Sequence, residues 1–210
     1  MRYYAVDPVR RNTNPDKKTP GIFSNANAYF GLELSDIYHL RYDFKAYIPN
    51  TDTAEDASIM AYGDNGQLCL NRLYDATNGY RMQYVTPKPS NVLITDSIVF
   101  NDWNDISINN NNITVNGVLY SGSSSTETVN DLVGIFVAHK SGPRRWQAPC
   151  PPGTGIAGIK IYRNEVLEND LIPINMVKEG GTTKEGAFYD LINKTYHFSM
   201  TSVPFVYSEM

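Results

Sequence analysis

The sequence predicts an all-β protein, an antiparallel β-sandwich, and three observations carry that expectation. Residues 38–48 alternate without a fault, with Tyr38, Leu40, Tyr42, Phe44, Ala46 and Ile48 on one face and His39, Arg41, Asp43 and Lys45 on the other. Such a period of two places one face on a core and the other in water. Turn signals recur between short apolar runs: Gly63-Asp64-Asn65-Gly66, Asn78-Gly79 and Asn116-Gly117. Asn, Asp and Gly are the residues that accept the positive φ of tight hairpin turns. The third observation is composition, since 15 Tyr and 8 Phe with abundant Val, Ile and Thr favour strands. At 210 residues the chain suits one large β domain, which at that size needs neither disulfide nor metal to fold.

The elements follow in order. Residues 1–21 form a polar, extended N-terminal arm in which Arg2, Arg10, Arg11, Lys17 and Lys18 outweigh Asp7 and Asp16. Pro8, Pro15 and Pro20 forbid a regular ladder or helix through it. A frayed terminus and an arm that orders on an acidic neighbouring subunit are both open. Residues 22–210 form the sandwich. An edge strand lies within 24–34, Pro49 to Asp52 stop the strand at 38–48, and strands follow at 57–62, 67–74 and 80–85. Pro87-Lys88-Pro89 marks a loop, and 92–94 and 98–100 are short apolar runs. Residues 105–109 lead through an Asn-rich turn into the hairpin 113–120, whose Asn116-Gly117 is the strongest two-residue turn signal in the chain. After a Ser/Thr loop at 121–128, the apolar run 132–138 reads as a central strand covered on both faces. Residues 140–155 read as a long Pro/Gly loop. With the closing stretch, this makes about twelve strands and no convincing helix of more than two turns.

In the closing stretch, residues 159–172 read as a hairpin turning near Arg163-Asn164-Glu165, and 186–198 as two short strands around an Asp190/Asn193 turn. Asx side chains favour such turns by bonding the backbone two residues on. The arrangement IKIY-turn-VL, then LIPI, a polar loop and G-x-x-YDLINKTY covers about forty residues. It resembles the C-terminal signature of laminin-G/concanavalin A-like modules. The resemblance implies a jelly-roll sandwich of the type found in virion proteins of tailed bacteriophages and in bacterial surface proteins. That fold hosts lectins, glycosidases, capsid decorations and spacers alike.

Composition narrows the function from another side. A net charge of −4 argues against a surface built for nucleic acid. No apolar run approaches the ~18 residues of a membrane helix. The N-terminal MRYYAVDPVRR lacks the apolar core of a secretion signal, so the expected protein is assembled in a host cytoplasm and kept there or carried out in a particle. Cys69 and Cys150 have no metal-ligand spacing, and two thiols and one disulfide both stay open.

Glycosidases of the resembled fold carry two Glu bracketing an Asp at alternate strand positions, and no E-x-D-x-E exists here. Glu33 and Asp36 at a strand end, and Glu165, Glu168 and Asp170 in the final hairpin, read as turn and surface residues. His39, His139 and His197 stand on separate elements without ligand spacing. Nothing resembles G-x-S-x-G, and Pro152-Gly153-Thr154-Gly155 lacks the Gly-Lys-Ser/Thr of a phosphate cradle. The expectation is neither catalysis nor a cofactor. Calcium, which rim loops of such sandwiches often hold, has oxygen donors at Asp64-Asn65 and between Asp102 and Asp105, residues that are equally ordinary in turns.

Binding has better candidates. Trp103 stands among Asn101, Asp102, Asn104 and Asp105, and Trp146 stands in the Pro-rich loop beside Arg144 and Arg145. A flat ring with polar neighbours suits a sugar, and Arg and Trp are enriched where partners dock. Packing of both rings over the sandwich ends is the other reading. The expected function is that of a non-enzymatic structural virion protein of a tailed bacteriophage, decorating or cementing the capsid or forming a fibre or tail module. Its arm residues Arg2, Arg10, Arg11, Lys17 and Lys18 would anchor it on other virion subunits such as the major capsid protein. A homo-oligomer and weak contact with host surface glycans complete that expectation, with no nucleic-acid or membrane partner. A stand-alone carbohydrate-binding module is the alternative.

Overall fold

The structure, a computed structural model, describes residues 3–7, 20–24, 28–50, 57–62, 69–75, 79–85, 91–94, 97–139, 146–150, 152–178 and 184–209. Along the chain lie β1 (Tyr3–Asp7), β2 (Pro20–Phe23), β3 (Phe30–Leu34), a short 3-10 turn (Ile37–His39), β4 (Leu40–Ile48), β5 (Ala57–Ser58), β6 (Met60–Tyr62) and β7 (Cys69–Asp75). Next come β8 (Gly79–Val85), β9 (Asn91–Ile94), β10 (Asp102–Asn109), β11 (Asn112–Val115), β12 (Val118–Ser121), β13 (Asp131–Ile135) and β14 (Val137–His139). The chain closes with β15 (Trp146–Pro149), β16 (Gly155–Arg163), β17 (Val166–Lys178), β18 (Lys184–Asp190), β19 (Tyr196–His197) and β20 (Val206–Glu209).

All of these strands pair antiparallel. One eleven-stranded sheet has the order β12-β11-β10-β4-β16-β17-β18-β19, with β1 beside β17, and β2 between β16 and β20. Three smaller sheets, β3-β13-β6, β14-β15 and β5-β7-β8-β9, complete the fold. Buried side chains from the large sheet and from the smaller ones form one apolar cluster, so the protein is all-β and sandwich-like.

The core is organised along β4, whose residues are buried and half-buried in strict alternation. Leu40, Tyr42, Phe44, Ala46 and Ile48 point inward, where Ile106, Ile108, Ile159 and Ile161 of the flanking strands join them. The fully buried Tyr42 phenol donates to the Ile37 carbonyl at 3.1 Å, and burial pushes its pKa well up. Buried Tyr84 likewise donates to the Asn110 carbonyl. A phenol can lie in such a core only with its hydroxyl bonded.

Several sequence expectations change form. Residues 37–39 leave the long strand as a 3-10 turn, headed by Asp36 in the left-handed region (φ 51°) with its carboxylate 2.6 Å from His39 Nδ1. The run 57–62 breaks at Ile59 and the run 132–138 breaks at Phe136, a buried residue at φ 66°. Those breaks meet, because the Phe136 amide donates to the Ile59 carbonyl at 2.7 Å. Each run is thereby divided between two sheets, which is one reason that twenty strands among the described residues replace the expected dozen. Residues 98–100 form no strand. Asn104 there accepts from the Val99 amide and donates to its carbonyl, so a side-chain amide occupies both backbone groups.

The long loop 140–155 contains β15, whose Trp146 opposes His139 of β14, so Trp146 sits on a strand rather than in a loop. In the arm, the proline-free Tyr3–Asp7 pairs with β17 in register Tyr3↔Lys178 to Asp7↔Asn175. At the other end of the arm Pro20 is the first residue of β2, a position that a proline can take in a strand. The proline argument therefore fails at both ends of the arm, and residues 8–19 lie outside the described residues.

The turns follow their sequences. Asn116 (φ 49°) and Gly117 (φ 84°) close β11 onto β12, and Asn164 (φ 47°) and Glu165 (φ 64°) close β16 onto β17. Two central residues with positive φ match the right-handed twist of hairpin strands. Between β18 and β19 the buried Asp190 carboxylate accepts from Asn169 Nδ2 (2.7 Å), Asn193 Nδ2 (2.7 Å) and the amides of Ile192 (2.9 Å), Asp170 (3.2 Å) and Asn193 (3.3 Å). Burial pushes its pKa up, but the bonds from Asn193, Asn169, Ile192 and Asp170 outweigh that and hold it below the ordinary value. Half-buried His197 packs on Phe30 with centroids 5.7 Å apart; burial lowers its pKa against the opposing pull of Asp190.

In both groups the unfolded chain binds a proton that the native state resists, so acid removes stability. The expected melting temperature falls first below about pH 6.5 as His197 is charged, and again below about pH 4 as Asp190 is protonated. His197→Gln removes the upper step and keeps the lower. Asp190→Ala strands the surrounding donors and costs about 2–4 kcal/mol in urea denaturation. A melting temperature flat from pH 8 to pH 3 would sink this account of the turn.

Candidate functional site

Strand register places four rows of side chains on the outer face of β10, β4 and β16. The pairs Trp103↔Tyr47, Asp105↔Lys45 and Ser107↔Asp43 join β10 to β4, and Lys160↔Asp43 and Tyr162↔Arg41 join β4 to β16. In the first row the Arg41 guanidinium lies 4.1 Å from the centroid of the Tyr162 ring, with its Nε 3.2 Å from Asp43 and its Nη1 on Glu165. Burial alone would lower the Arg41 pKa, but Glu165 and Asp43 more than offset it and raise the value. The second row holds Asp43, which accepts from the Ser107 hydroxyl at 2.6 Å, and the third pairs Lys45 with Asp105 at 3.4 Å.

The fourth row is aromatic. Trp103 meets Tyr47 at 5.7 Å and 68° and Phe23 at 5.8 Å and 63°, while Phe23 meets Tyr47 at 5.9 Å and 65°. All three contacts are edge-to-face, the arrangement that ring quadrupoles favour. Two glycines make room for it. A Cβ at Gly21 would lie 2.6 Å from Trp103 Cη2, and one at Gly155 would lie 2.4 Å from Phe23 Cε1. Through these rings β2 is fastened to β4 and β10. The Trp103 Nε1 is buried there with no acceptor among the described residues.

The polar residues around Trp103 have other tasks than framing a ligand. Asp102 accepts from the Trp103 amide at 2.7 Å, and Asn101 accepts from the Asn50 amide at 2.8 Å. Asn104 is fully buried, bonded to Val99, Asp102 and Asn116, and Asp105 faces Lys45. The half-buried Trp103 is therefore packed into a ring cluster. Trp146 is placed on β15 only by its backbone, and Arg144 and Arg145 lie outside the described residues, as do Arg2, Arg10, Arg11, Lys17 and Lys18. The calcium candidates Asp64 and Asn65 also lie outside them, and among the described residues no three His, Cys, Asp or Glu stand close enough to hold a metal ion.

Except for Asp170, which reads as a surface residue in the sequence but is buried on β17, the remaining candidate carboxylates are distributed over the surface. Glu33 is exposed on β3, Asp36 is shared by His39 and, at 3.9 Å, Arg163, and Glu168 pairs with Arg163 at 2.7 Å. Asp170 and Cys150 are buried. The side chains of His139 and Cys69 lie outside the described residues. Among the described residues, no helix is long and apolar enough to cross a membrane. The chain matches no protein-family model, and no similar sequence is found among curated proteins.

Sequence alone does not single out Tyr47, Phe23 or the Arg41–Tyr162 stack. Alternation along β4 puts Tyr47 on the same face as Arg41, which is a usable signal. The slots at Gly21 and Gly155 depend on tertiary packing and leave no local trace. Because the Trp103 N–H makes no bond among the described residues, Trp103→Phe is expected to stay within about 1 kcal/mol of the native protein. Trp103→Ala empties the cluster and costs about 2–3 kcal/mol, read from urea denaturation. A neutral Trp103→Ala would show that the rings do not fasten β2.

Proposed function

We propose that this chain is a non-enzymatic structural protein of a tailed-bacteriophage virion. In this reading it is a laminin-G/concanavalin A-like jelly roll that decorates or cements the capsid, or forms a fibre or tail module, and is held by its N-terminal arm. The observation that carries the reading is where the resembling residues lie. They make up β17, β18, β19 and most of β16, and β16 pairs directly with the organising strand β4. The resemblance thus covers the framework of the large sheet rather than a peripheral hairpin. A second support comes from the arm, whose Tyr3–Asp7 joins the sheet at β17 and whose chain rejoins it at β2. The basic residues Arg10, Arg11, Lys17 and Lys18 lie between these two attachments and suit an acidic neighbour such as a major capsid protein. On the outer face, the carboxylates of Asp43, Asp105 and Glu165 are engaged by neighbouring side chains, as befits a scaffold. Self-association and weak contact with host glycans through Trp103, or through Trp146 with Arg144 and Arg145, belong to the same reading.

The test is sedimentation with particles that lack the protein. The native chain is expected to pellet with them. A variant with Arg10, Arg11, Lys17 and Lys18 all changed to Glu should stay in the supernatant with an unchanged melting temperature, because β1 and β2 are left intact. Binding should also weaken as salt rises, since the contacts are between exposed charges. A native chain that never pellets, yet binds a glycan array and loses that binding in Trp146→Ala, would replace the virion reading with a carbohydrate-binding module.

A further inference from the structure

Among the described residues the large sheet ends at β12, which pairs with β11 alone. Its register is Val115↔Val118, Thr114↔Leu119, Ile113↔Tyr120 and Asn112↔Ser121. In a two-residue hairpin the residues flanking the turn bond each other, so the backbone groups of Val118 face β11, and those of Leu119 and Ser121 face outward. The Gly122 amide bonds the Asn111 carbonyl at 2.9 Å, which agrees with that alternation. Val118 is 48% exposed and Leu119 63%.

Free sheet edges invite pairing with another chain, and monomers blunt them with charge, proline, bulges or extreme shortness. Other edges here show such devices: β3 carries the exposed Glu33, and β19 is two residues long. β12 carries none. Residues 106–126, which span the second half of β10 and all of β11 and β12, hold no Asp, Glu, Lys, Arg or His in a chain that is 19% charged. A charged partner would find nothing there to match. A second copy of a protein of net charge −4 would find there a stretch that adds no like-charge repulsion.

We propose that β12 is a self-association edge, at which two copies pair antiparallel about a two-fold axis through Tyr120 and continue the large sheet from one molecule into the next. In that register Leu119 of each copy opposes Ser121 of the other, and the outward amides and carbonyls of both residues are satisfied together. Tyr120 faces its own counterpart as a non-hydrogen-bonded pair, the closer type of cross-strand neighbour. Leu119 meets its counterpart diagonally on the outer face, within reach of a cross-strand apolar contact. A four-residue ladder falls short of the ~1,200 Å² of a standard interface, so the dimer is weak and forms as concentration rises.

The inference rests on the self-association in the reading above, but it is tested without particles, so its failure and a failure of particle binding are separate results. Sedimentation velocity of the full chain across the micromolar range should show a concentration-dependent dimer. Leu119→Lys sets two like charges near the axis at an exposed position. It should weaken association at least about tenfold with an unchanged melting temperature. Val166→Lys, at a 66% exposed site on the distant β16–β17 turn, should leave association intact. A chain that stays monomeric throughout would overturn the proposal. So would a dimer that survives Leu119→Lys, or one that Val166→Lys disrupts equally.

Discussion

Leu40–Ile48 is hydrogen-bonded on both sides, to β10 and β16, and its alternate side chains form the middle of the core. Its register is therefore the constraint on which the rest depends. A slip by one residue would turn Arg41, Asp43 and Lys45 into the core and expose Tyr42 and Phe44. Burying three charges without partners is far more costly than any local adjustment can offset, so the register is fixed. Once it is fixed, so are the rows on the outer face. Arg41 must lie beside Tyr162, Asp43 beside Ser107, Lys45 beside Asp105, and Tyr47 beside Trp103.

How much of this is legible in the sequence depends on the range over which each feature is decided. Local features are legible. The alternation of β4 and the Asn116-Gly117 and Asn164-Glu165 hairpins are set by residues within a few positions of one another. So are the Ile192 and Asn193 bonds of the Asp190 turn, whose Asn169 and Asp170 bonds come from β17. Features decided across the sheet are not. Residues 98–100 look like a strand by their apolar character, yet the side chain of Asn104 occupies the Val99 backbone groups. The run 132–138 looks continuous, but Phe136 adopts positive φ because its amide is held by Ile59, far away in sequence. Composition also hides β15, since its Pro149 and the prolines that follow read as loop.

Trp103 shows how the same gap affects a functional reading. Its sequence neighbours, Asn101, Asp102, Asn104 and Asp105, have the composition of a sugar site. In three dimensions each bonds backbone or a partner on another strand, and the ring is packed against Phe23 and Tyr47 over two glycines. Aromatic composition reports burial as readily as recognition. The Asp190 turn is the converse case. A stretch that stands out by its pattern, YDLINKTY, proves to be conspicuous because one carboxylate must collect five donors to close β18 onto β19.

Charge is distributed unevenly along the chain. The first 21 residues are basic in an otherwise acidic chain, and residues 106–126 carry no charge at all. Charged side chains of the outer face pair with one another within β4 and across strands. Exposed ion pairs of that kind add little stability, so their main effect is to leave a face with little unmatched charge. Long-range attraction is then left to the arm, which can be screened by salt, while the neutral end of the sheet offers backbone groups and apolar side chains that salt hardly affects. If the chain makes both proposed contacts, their different salt responses would let attachment to a charged neighbour and association between copies be adjusted independently, and would separate them experimentally by ionic strength alone.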